Sequence, residues 1–99
     1  MEALIQEFSD YLRIEKRNSP HTVSAYHRDL IRFSTELSGK TVDSVTTANI
    51  RNFLILLRGQ GMSTSSIARS LSSIKSFFKY LCQDNQLKNN PAIILETPK

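Results

Sequence analysis

The residues with the most evident chemistry are cationic and hydroxylated, and they are segregated. Between Asp43 and Asp84 the chain carries no Asp or Glu, yet it holds Arg51, Arg58, Arg69, Lys75 and Lys79. An ordinary solvated helix mixes both signs and gains from Glu–Lys pairs at four-residue spacing. A segment that omits acids forgoes that gain, and a phosphate backbone is one partner that supplies the missing negative charge. Placed on a helical wheel at about 100° per residue, the segment after Ser63 puts Ser65, Arg69, Ser72, Ser76 and Lys79 opposite its apolar stripe, with Lys75 on the flank. The segment after Ser19 repeats the pattern with His21, Ala25, Arg28, Arg32 and Thr35, and Ser24 beside them. Asp29 is the one acid nearby and is expected to point to a different side. Short Ser and Thr side chains allow a helix to approach a groove closely and to hydrogen-bond phosphates or base edges. The candidate DNA contacts are therefore His21, Thr22, Ser24, Arg28 and Arg32 on one helix, and Ser65, Arg69, Ser72, Lys75, Ser76 and Lys79 on the other.

Other chemistries find no support. His21 and His27 are six residues apart, on different helical faces, with no Cys or carboxylate beside them, so no metal site is expected. No phosphate-binding G-x-x-x-x-G-K-S/T, no G-x-G-x-x-G and no G-x-S-x-G is present. Gly59-Gln60-Gly61 reads as a helix stop. Tyr11, Tyr26 and Tyr80 lack the Arg/His cluster that would activate a nucleophile, so neither catalysis nor a cofactor is expected of these residues. Cys82 is alone, which precludes an internal disulfide and suits a reducing cytoplasm; it is expected to be a small, semi-buried apolar residue. The N-terminus lacks a basic segment followed by a long apolar run, and Phe53-Leu54-Ile55-Leu56-Leu57 is far too short to span a bilayer. The net charge of +4 and pI of about 9.5 favour an anionic partner. A membrane surface fits less well than nucleic acid, because neither basic helix has a spare apolar face and Trp is absent.

These side chains need helices to carry them. Leu4, Ile5, Phe8 and Leu12 form one stripe, predicting a helix over 2–16. Ser19 and Pro20 form a cap and a first helical position, and Val23, Tyr26, Leu30, Phe33 and Leu37 follow at helical spacing until Gly39. Thr46 or Thr47 caps a third helix with Ile50, Phe53, Leu54 and Leu57 on its buried face. Ile55 and Leu56 broaden that face, so this helix is expected to be central. Gly59 and Gly61 end it. Ser63 opens the fourth helix, in which Ile67, Leu71, Ile74, Phe78 and Leu81 recur every three or four residues. Asn90-Pro91 starts a short fifth helical turn whose Ile93, Ile94 and Leu95 can pack back. The fold class is all-α: a compact bundle of four helices on short loops, with residues 1–95 as one domain and 96–99 as the start of a linker. A competing reading is a helical protein-interaction module, for which Ile55, Leu56 and Phe77 would form the exposed apolar patch.

Asn18-Ser19-Pro20-His21-Thr22-Val23-Ser24-Ala25-Tyr26, followed by Asp29-Leu30 and Phe33, resembles the S-x-x-T-x-x-x-Y-x-x-D-L-x-x-F signature of tyrosine recombinases. The run from Ser63 to Leu81 and the closing Asn90-Pro91-Ala92 match in the same order. The whole chain resembles the N-terminal, SAM-like core-binding domain of the phage-integrase family, and the Xer-type recombinases most closely. The resemblance implies a half-clamp on duplex DNA at a recombination half-site, with the second and fourth helices toward the major groove. It also implies contacts with neighbouring protomers in a synaptic tetramer. The family's catalytic arginine, lysine, His-x-x-Arg pair, further His or Trp and nucleophilic tyrosine belong to a C-terminal domain, and nothing in this sequence matches them.

Overall fold

The computed structural model describes residues 1–96, so the expected linker lies, apart from Glu96, outside the described residues. Four helices follow one another: α1 (Glu2–Ile14), α2 (Pro20–Glu36), α3 (Thr47–Gly59) and α4 (Thr64–Gln83), with a short 3-10 turn over Val42–Ser44. No strand occurs among the described residues.

The starts of α2, α3 and α4 are set by side-chain caps, each satisfying an amide that a helix end would otherwise leave unpaired. Ser19 Oγ accepts from the Thr22 amide at 3.2 Å, and Pro20 occupies the first turn where no amide is needed. Thr46 and Asn49 form a reciprocal capping box at α3. Ser63 Oγ accepts from the Ser66 amide at 3.2 Å. The chain leaves α3 through Gly61, whose φ of +83° is one that side chains rarely adopt. Gly59 is the last residue of the helix itself, so Gly61 supplies the turn.

The core is a chain of aromatic rings crossing all four helices. Tyr11 meets Tyr80 at 4.8 Å between centroids, Tyr80 meets Phe8 at 5.4 Å, and Phe8 meets Phe77 at 5.7 Å. Phe77 lies against Phe78 at 5.4 Å, Phe78 against Phe33 at 6.4 Å, and Phe33 against Phe53 at 5.1 Å. Tilted and edge-on pairs of this kind add to the free energy of burying the rings. Two expectations change here. The central helix is α4, which packs against α1, α2 and α3, while Ile55 and Leu56 of α3 face solvent. Phe77 is fully buried rather than part of an exposed patch, because a helix surrounded on three sides buries more than one stripe.

After α4 the chain returns through Pro91, whose carbonyl accepts from Thr47 Oγ1 at 2.6 Å. Asn90 Oδ1 accepts from the Ala92 amide at 2.9 Å, turning the backbone. This segment is a short turn, as expected, closed by the Leu95 amide donating to the Ala92 carbonyl at 3.1 Å. Ala92 and Leu95 pack inward, whereas Ile93 and Ile94 are exposed, contrary to expectation.

Candidate nucleic-acid interface

The two helices singled out by their polar faces, α2 and α4, pack side by side and antiparallel, with contacts at three levels. At the start of α2, Asn18 and Tyr26 share a cavity of about 280 Å3 with Lys16 and with Ser76 and Lys79 of α4. In the middle, Asp29 of α2 meets Arg69 and Ser73 of α4. Further along α2, Arg32 Nη1 lies 2.9 Å from the Met62 sulfur, just before α4 begins. The two polar faces are thereby joined into one surface along a seam.

The middle contact gives Asp29 its direction. Its carboxylate points into the seam and is 7% exposed. Arg69 Nε donates to Oδ2 at 2.9 Å and Nη2 donates to Oδ1 at 3.0 Å, a two-toothed fork. Ser73 Oγ lies 3.1 Å from Asp29 Oδ2 and 3.0 Å from the Arg69 carbonyl oxygen, so its single proton is shared between them. The hydrogen bond to Asp29 raises the Arg69 pKa above its ordinary value, outweighing the opposing effect of desolvation. The guanidinium is therefore a permanent cation whose partner is already supplied.

The other candidates are distributed unevenly. His21, Ser24, Arg28, Arg32, Ser65 and Lys79 are exposed, and Thr22, Arg69, Ser72, Lys75 and Ser76 are half-buried. Ser24 and Arg28 line a different groove of about 520 Å3 between α1 and α2, together with Asp10, Arg13 and His27. His27 Nδ1 lies 2.9 Å from Ser9 Oγ, and Ser9 Oγ lies 3.0 Å from the Ile5 carbonyl oxygen. Lys75 Nζ donates to the Leu95 carbonyl at 2.6 Å and tethers the C-terminal turn. Thr22 belongs to the cap of α2, accepting from Ser19 Oγ at 3.0 Å.

The acids collect elsewhere. Glu7, Asp10, Glu15 and Asp84 surround the cavity between α1 and the end of α4, on the Tyr80 side. The seam between α2 and α4 has a single acid, and that acid is buried and paired. The domain thus has a basic, hydroxyl-bearing face and an acidic edge, and α4 borders both. No cluster of three or more metal-ligating side chains occurs among the described residues, and no described helix is long and apolar enough to cross a membrane.

Residues 5–85 match the family described as the phage integrase, N-terminal SAM-like domain. The chain belongs to this family. Among its curated relatives, the SAM-like domain is 39% identical over 95 residues to a tyrosine recombinase XerC of Alcanivorax borkumensis, covering 96% of this chain and 31% of that protein. It is 37% identical over 103 residues to a tyrosine recombinase XerD of Oceanobacillus iheyensis, covering 100% of this chain and 35% of the relative. A putative tyrosine recombinase of Caldanaerobacter subterraneus is 34% identical over 100 residues, covering 99% and 34% respectively. The chain therefore spans about a third of the length of these relatives.

Within the SAM-like domain, the wheel found the polar faces but missed Asp29, Ser73, Lys16, Asn18 and Tyr26 as residues of the seam. One signal for Asp29 was present: a lone acid on a helix otherwise free of interior acids, opposite an arginine on a helix with no acid at all. A pair of that kind needs each other when both approach the interior.

Proposed function

We propose that this domain grips duplex DNA at a recombination half-site through the α2–α4 face, on behalf of a tyrosine recombinase whose catalytic groups lie in a separate domain. The observation that carries the reading is the joining of two acid-poor polar helices into one surface, with Arg32, Arg69, Ser76 and Lys79 along a single seam. A face of this composition suits a phosphate backbone: the cations displace counterions, and short hydroxyls let the helices approach. The acidic edge around Tyr80 would be repelled by the same backbone, which helps to orient the domain. In such a protein residues 1–95 form the gripping unit and 96–99 lead toward the catalytic domain. Neighbouring protomers would meet in a synaptic tetramer, in the cytoplasm where the DNA is.

The test is fluorescence anisotropy of a short labelled duplex of mixed sequence, titrated with the 99-residue chain at several salt concentrations. Affinity is expected to fall steeply with salt, by about 0.9 log units per phosphate contact for each log unit of salt. Lys79→Ala and Arg32→Ala should each weaken binding and reduce that slope by about one contact. Binding that is unchanged in both variants would exclude this face.

A further inference from the structure

We propose that Asp29 is a positioning residue for DNA binding: it holds Arg69 by one edge of its guanidinium so that the opposite edge is aimed out of the α2–α4 seam at a DNA phosphate. This rests on the DNA-gripping reading of the same face. A guanidinium carries five N–H donors in a rigid plane. The fork to Asp29 uses one on Nε and one on Nη2, leaving both donors of Nη1 and one of Nη2. Among the described residues no buried side-chain nitrogen lacks a partner, so Nη1, which has none, opens to solvent. The exposures agree: the Arg69 side chain is 41% accessible and that of Asp29 is 7%. The carboxylate lies at the floor of the seam and the free guanidinium edge at its mouth.

Three features make the arrangement a mount rather than a simple ion pair. The fork constrains the guanidinium plane, which a point contact would leave free to rotate. Ser73, itself fully buried, lies within hydrogen-bonding distance of the same carboxylate oxygen and the Arg69 backbone, so the base of the mount is fixed as well. Arg69 also stands between Arg32 and Met62 at one end of the seam and Ser76 and Lys79 at the other, where a backbone following the seam would pass. An arginine held in this way loses little side-chain freedom on binding, and reducing that loss is a recognised route to affinity.

The idea opposes simple electrostatics and is tested on that ground. Removing a negative charge from a face that meets a polyanion should strengthen binding; removing a mount should weaken it. The 99-residue chain and its variants are titrated into the same labelled duplex, and circular dichroism establishes that each is folded. Asp29→Asn is expected to lower affinity by about tenfold, the equivalent of one charge-assisted hydrogen bond. Arg69→Ala should lower it by at least as much, and the double variant should be no worse than Arg69→Ala alone. Arg69→Lys keeps the charge but has no fork, so it should resemble Arg69→Ala; this variant decides the matter if Asp29→Asn does not fold. Equal or tighter binding by Asp29→Asn, or full affinity in Arg69→Lys, overturns the proposal. If Lys79→Ala still weakens binding in that event, only the role of Asp29 is lost; if Lys79→Ala and Arg32→Ala are also silent, the DNA reading falls with it.

Discussion

The contacts of α4 with α1 and with α2 share an apolar core but differ in what accompanies it. Toward α1 the contact is made of rings, with Phe8 and Tyr11 against Phe77 and Tyr80. Toward α2, Phe78 meets Phe33, and beside these rings a buried carboxylate and a buried hydroxyl hold a half-exposed guanidinium. Apolar contact is strong but non-directional, and it tolerates small rotations of one helix against another. A forked hydrogen bond is directional and fails under the same rotation. The difference suggests a division of labour, with the ring flank carrying stability and the polar flank fixing how α2 and α4 present their outer faces as one surface.

The strongest way to break this comparison is to truncate the ring flank. Phe77→Ala removes a fully buried ring that joins Phe8 to Phe78. The expected loss is about 3–5 kcal/mol, from lost burial and the cavity left behind. Urea denaturation followed by circular dichroism reads it directly, and a loss below about 1 kcal/mol would mean that the ring chain is not the main source of stability. The polar flank gives a smaller effect. Ser73→Ala leaves Asp29 with the Arg69 fork but without the serine hydroxyl, and should cost about 1 kcal/mol. A cost matching that of Phe77→Ala would erase the distinction between the flanks.

The sequence discloses local features of the fold and conceals relations between elements. Ser19-Pro20, Thr46 and Ser63 mark the helix starts because a cap is a contact within four residues. The stripe Ile67, Leu71, Ile74, Phe78 and Leu81 is legible because one periodicity produces it. Phe77 lies off that stripe, and its burial follows only from knowing that α4 has neighbours on three sides. The partner of Asp29 is hidden for the same reason: a wheel places a residue relative to its own helix, and the arginine that holds it is 40 positions away. The breadth of apolar residues on α3 suggested a central helix, yet Ile55 stands in solvent because packing rather than composition decides which side is covered. Lys75 read as a flank cation, and its bond to the Leu95 carbonyl depends on where the chain returns after α4.

The smallest effect comes from the place where the ring flank meets the acidic edge. Burial, aided by Asp84, Glu7, Glu15 and Tyr11, raises the Tyr80 pKa above its ordinary value. For a group that becomes negative on losing its proton, the folded state then holds the proton more tightly than the unfolded chain. Below the ordinary tyrosine value of about 10 the proton is bound in both states and Tyr80 contributes no pH dependence. As pH rises through that value the unfolded state loses its proton first, so stability falls until the folded-state pKa is also passed. Tyr80→Phe has no proton to lose, so the decline in the urea midpoint between about pH 9 and about pH 11 should be shallower than in the unaltered chain. Comparing the two slopes cancels the titration of the other tyrosines and of the lysines. Parallel slopes would mean that the acidic edge and the burial of this ring do not act on Tyr80. A shallower slope would show that the acidic edge disfavours an added negative charge at Tyr80, the ring that borders both that edge and the cavity holding Ser76 and Lys79.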